Sequence, residues 1–75
     1  MHVTRTSTGN VARLHAEWEE IHGQLRSMEQ ALSDAIAMYV RGQGAKPVQV
    51  IADVERLRVL CGMRFQALMK VLKDQ

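Results

Sequence analysis

From Val11 onward the apolar residues fall at Val11, Leu14, Trp18, Ile21, Leu25, Met28, Leu32, Ala35 and Tyr39, a 3-4-3-4 spacing that puts all of them on one stripe of a helix. Asn10 can cap the start, because an asparagine oxygen accepts from an otherwise orphan backbone N–H, although Arg13 in place of Glu or Gln leaves no capping box. Towards the C-terminal end Ile36, Met38 and Val40 join the stripe, so more than half of the circumference is apolar and that end needs more than one neighbour. At the other end the flanks are His15, Glu17, Glu19, Glu20 and His22, a solvated face.

A second helix can begin at Pro47, whose fixed φ suits a first helical position and whose missing N–H costs nothing there. Val50, Val54, Leu57, Cys61, Phe65, Leu68 and Leu72 centre its stripe, with Ile51, Leu60, Met69 and Val71 along the edges. Arg58 and Arg64 sit at the borders, where long stems can pack on apolar surface while the guanidinium reaches water. Val48, Val59 and Met63 fall on the far side and form a candidate second contact strip.

Between the two stripes, "RGQGAK" reads as a hinge. Gly42 can take the left-handed conformation that closes a helix and Pro47 starts the next helix, so Arg41, Gly42, Gly44 and Pro47 make the hinge. A connection this short makes the helices antiparallel neighbours. The predicted fold is therefore all-α, a coiled-coil-like antiparallel hairpin with helix 1 over about 11–41, a turn at 42–46 and helix 2 over about 47–73. Residues 1–10, rich in Thr and Ser, read as a disordered tail ahead of the hairpin domain at 11–75.

Seventy-five residues make one small domain, at a size where a single core supplies little stability without a staple. One cysteine forms no internal disulfide, and no Cys and His spacing resembles a zinc finger. Each apolar arc is also wider than one helix–helix seam requires. The hairpin is thus expected to be completed by dimerisation, as a four-helix bundle, or by a partner chain. The N-terminus carries no signal-peptide pattern and no long apolar run spans a membrane, which places the expected location in the cytoplasm.

Candidate chemistry is sparse. Glu19 and His22 have the Glu-x-x-His spacing of di-iron bundles and His15 lies one turn away, but both histidines flank the stripe and helix 2 offers no second such pair, so no metal site is expected. Cys61 falls mid-helix within the apolar arc and reads as a core residue. "GQGAKP" lacks the preceding strand, longer glycine pattern and hydroxyl of a phosphate loop. No catalytic residue and no cofactor are expected, and an enzyme is not. The net charge of +2 comes from basic residues spread along the chain; Arg56, Arg58, Arg64, Lys70 and Lys73 on helix 2 are the ones a nucleic acid would meet, diluted by Asp53, Glu55 and Asp74.

Arg41 to Val50, "RGQGAKPVQV", resembles the hinge and second-helix start of the small type III secretion co-chaperones of the YscE and SsaE kind, through Arg41-Gly42, Ala45-Lys46 and Gln49-Val50. Pro47 and the histidine-bearing flank depart from that pattern. The resemblance implies a co-chaperone that pairs with a tetratricopeptide-like chaperone, with Val11, Leu14, Trp18, Ile21, Leu25, Met28, Leu32 and Ile36 of helix 1 contacting the partner. The competing expectation is a homodimeric four-helix-bundle regulator binding RNA or DNA.

Overall fold

The computed structural model describes the backbone of residues 2–75 and the side chains of 9–75. Two helices fill it: α1, His2–Val40, and α2, Val48–Asp74, packed side by side along their length as an antiparallel hairpin. At 1.5 Å per residue α1 is about 58 Å long and α2 about 40 Å, consistent with a longest dimension of 62 Å. No helix among the described residues is long and apolar enough to cross a membrane.

The expected helix boundaries shift at both starts. α1 begins at His2, not Val11, so residues 2–10 of the expected tail are helical, and Met1 lies outside the described residues. The segment has no proline. Thr, Ser and Gly lower helix propensity without blocking it, and a helix already nucleated downstream propagates through them. Asn10 is consequently within the helix and caps nothing. α2 begins at Val48, with Pro47 as its N-cap at φ −81°, ψ 61°. The Pro47 carbonyl accepts the first intrahelical bond from the Ile51 N–H at 3.0 Å, the bond an N-cap residue makes.

The hinge closes α1 with a Schellman motif. The Gln43 N–H donates to the Met38 carbonyl at 2.9 Å, the Gly42 N–H donates to Tyr39 at 3.0 Å, and Gly42 takes φ +74°. That conformation is cheap only for a residue without Cβ. Arg41 donates its N–H to the Ala37 carbonyl at 3.2 Å as the last helical bond. Gly44 then folds back over the final turn, where an added Cβ would lie 3.4 Å from the Met38 Cβ.

The core is small. Leu25 from α1 and Val54 and Cys61 from α2 are buried, with Trp18, Ile21, Met28, Leu32, Val50 and Leu57 packed against them half-buried, and Leu68 is buried nearer the open end. Val54, Cys61 and Leu68 are spaced by seven residues, so the α2 seam follows one heptad position. Phe65 and Leu72, expected at the centre of the α2 stripe, lie off that line and stay 45% and 44% exposed.

Candidate interaction surface

The seam assigns every neighbouring residue a side. Labelling the repeat abcdefg with Leu25, Val54, Cys61 and Leu68 at a, the d positions are Leu14, Ile21, Met28 and Ala35 on α1 and Val50, Leu57, Arg64 and Val71 on α2. The e positions are then His15, His22, Glu29 and Ile36 on α1 and Ile51, Arg58, Phe65 and Leu72 on α2. The g positions are Glu17, Gln24, Ala31 and Met38, facing Asp53, Leu60, Ala67 and Asp74. In this antiparallel pair e meets e: both Nε and Nη2 of Arg58 donate to Glu29 Oε2, at 3.1 and 2.8 Å.

The e flank is the more apolar. Its open-end half is an aromatic cluster in which His22 stacks on Trp18 at a centroid distance of 4.8 Å, and His15 and Phe65 each lie 5.9 Å from the same indole. The histidines expected on a solvated face are thus partly engaged by Trp18; His15 Nδ1 also lies 3.3 Å from Glu19. Towards the hinge, a shallow groove between the helices is lined by Glu29, Leu32, Ser33, Ile36 and Arg58. Ile36 there is 45% exposed. The g flank has two large hydrophobes, Met38 and Leu60, among carboxylates and small residues, with a shallow groove lined by Gln24, Ser27, Met28, Asp53, Arg56 and Leu57. Glu17 bridges Arg13 at 3.0 Å and Arg64 at 3.4 Å on this side, and Asp53 holds Arg56 at 3.1 Å.

The residues expected to contact a partner fall in three groups. Leu25 is buried against α2, and Trp18, Ile21, Met28 and Leu32 pack half-buried on the same cluster, so this central stretch forms the intramolecular seam. Val11 and Leu14 continue it, half-buried, towards the open end. Ile36 alone of the eight is exposed. Two apolar surfaces remain besides the e flank: Met38, Tyr39 and Val40 beside the hinge, and the outer strip of α2 in which Val48 and Val59 are 65% exposed with Met63 close behind. The outer strip was legible from spacing. Spacing hides the e flank, because it puts Phe65 and Leu72 at the centre of the α2 stripe.

Among the described residues no three His, Cys, Asp or Glu side chains come together as a metal-holding group. Cys61 is buried at the seam. No family model matches the chain, and no curated protein and no solved structure matches it.

Proposed function

We propose that this chain is a non-enzymatic helical interaction module that works by packing against other helices. The observation that carries the reading is the imbalance, among the described residues, between four buried core side chains and nine large hydrophobic residues left exposed, Ile36, Phe65 and Leu72 among them. A hairpin that buries so little by itself gains stability when another surface covers the remainder. The finer reading, carried by the resemblance at Arg41 to Val50, is a cytoplasmic co-chaperone that stabilises a tetratricopeptide-like chaperone in type III secretion. The nucleic-acid alternative draws less support, because Arg13, Arg56, Arg58 and Arg64 are already paired with carboxylates and would exchange those contacts for phosphate ones.

Thermal unfolding followed by circular dichroism across a hundredfold range of concentration tests the module reading. A midpoint that rises with concentration, or with an added partner, is expected. A fully helical monomer whose midpoint does not move would overturn it. For the finer reading, co-expression with a tetratricopeptide-like type III secretion chaperone should yield a stable 1:1 complex, and failure to co-purify would remove the co-chaperone role while leaving the module.

A further inference from the structure

Solitary two-helix hairpins need apolar residues only at a and d, because both flanks of the seam face water. An apolar flank marks the side on which further helices pack. Here four of the eight e positions, Ile36, Ile51, Phe65 and Leu72, are large hydrophobes, and Trp18 reaches the same side through its contact with Phe65. The opposite flank has two, Met38 and Leu60, among its eight, the rest being Glu17, Gln24, Asp53, Asp74 and two alanines. This asymmetry concerns one face, and its pattern of charge says what covers it.

We propose that the e flank seats the e flank of a second copy of this chain, making a two-fold symmetric, all-antiparallel four-helix bundle. The inference rests on the module reading above and names its partner.

Charge complementarity selects a second copy and also its orientation. Glu29 and Arg58 lie side by side at the second of four levels along the flank, one on each helix, with Ile36 and Ile51 on the hinge side and Trp18, Phe65 and Leu72 on the open side. A two-fold axis running along the helices sets α1 of each copy over α2 of the other. Glu29 then faces Arg58 across the interface as well as within the chain, and the isoleucine and aromatic halves meet their own kind. The perpendicular two-fold through the centre of the flank would set Glu29 opposite His22, Arg58 opposite Phe65 and Ile36 opposite His15, leaving neither charge against its complement. Self-complementarity of this kind is what an isologous interface requires.

The size of the face also fits. The overlap of the helices is as long as α2, about 40 Å, and two helices of roughly 10 Å diameter present about 20 Å of width. The product, about 800 Å² per copy, is what a stable interface of standard size buries on each partner.

The test is native mass spectrometry and light scattering on the full chain with three variants. Wild type is expected at twice its 8.5 kDa chain mass at tens of micromolar. The double variant Ile36→Glu with Phe65→Glu should associate at least tenfold more weakly. Since that variant risks unfolding, a charge exchange provides a second readout: Glu29→Arg and Arg58→Glu should each self-associate poorly alone, and an equimolar mixture should form a heterodimer in preference to either homodimer. A dimer indifferent to all of these changes would place the interface elsewhere and overturn this inference while leaving the module reading intact. A wild-type chain that is monomeric and weakly helical alone would mean that a different protein covers the flank, with the same consequence. A fully helical wild-type monomer would overturn both.

Discussion

The two flanks of the seam lie on the same helices, share the same hinge and border the same core, yet they differ in side-chain content. The e flank sets Ile36, Ile51, Phe65 and Leu72 around one two-bond ion pair, whereas the g flank has two large hydrophobes, Met38 and Leu60, beside the looser ion pairs of Glu17 and Asp53. A water-facing flank tolerates almost any polar residue. Three exposed large hydrophobes on one flank, Ile36, Phe65 and Leu72, have a cost in solubility that a covered face removes. Under the proposed dimer the e flank is covered and the g flank faces water.

Four substitutions sharpen this comparison, in falling order of effect. Val54→Asp strikes the seam on which both flanks depend: the side chain is 2% exposed and would place an unpaired carboxylate among Leu25, Leu57 and their neighbours. The expected cost is several kcal/mol, enough to abolish the helical signal in circular dichroism, and a folded variant would refute the proposed core. Gly42→Ala tests the hinge that brings the flanks into register. At φ +74° a Cβ costs about 1–2 kcal/mol, to be measured as a lowered denaturant midpoint at unchanged slope. An unchanged midpoint would mean that the Schellman turn does not form.

The smallest effect compares the flanks directly. Glu29→Gln removes the 2.8 Å pair with Arg58, and Glu17→Gln removes the 3.4 Å contact with Arg64. Both pairs are substantially exposed, so each cost should stay within about 1 kcal/mol. Across a concentration series, the Glu29→Gln loss should grow as chains associate while the Glu17→Gln loss stays constant. Equal concentration dependence would erase the distinction between the flanks.

Much of this molecule is legible in the order of its residues. The 3-4 spacing from Val11 to Tyr39 and the later stripe from Val50 specify two helices, and Gly42 with Pro47 specifies a turn too short to leave them anything but antiparallel neighbours. These are local consequences of helix periodicity and backbone stereochemistry, which act within a few residues. The start of α1 was not legible, because weak helix formers such as Thr4 and Thr8 follow the helix they adjoin instead of deciding their own state.

Tertiary structure alone decided the division of the apolar surface. Spacing gives an arc, and a wide arc holds both the residues that meet the neighbouring helix and those that flank it. Only the rotation of α2 about its own axis separates Val54, Cys61 and Leu68, which enter the seam, from Phe65 and Leu72, which remain exposed. That rotation comes from the joint packing of two helices and from the pairing of Glu29 with Arg58, residues twenty-nine positions apart in the chain. No local pattern encodes it, because the choice belongs to the pair of helices and not to either one.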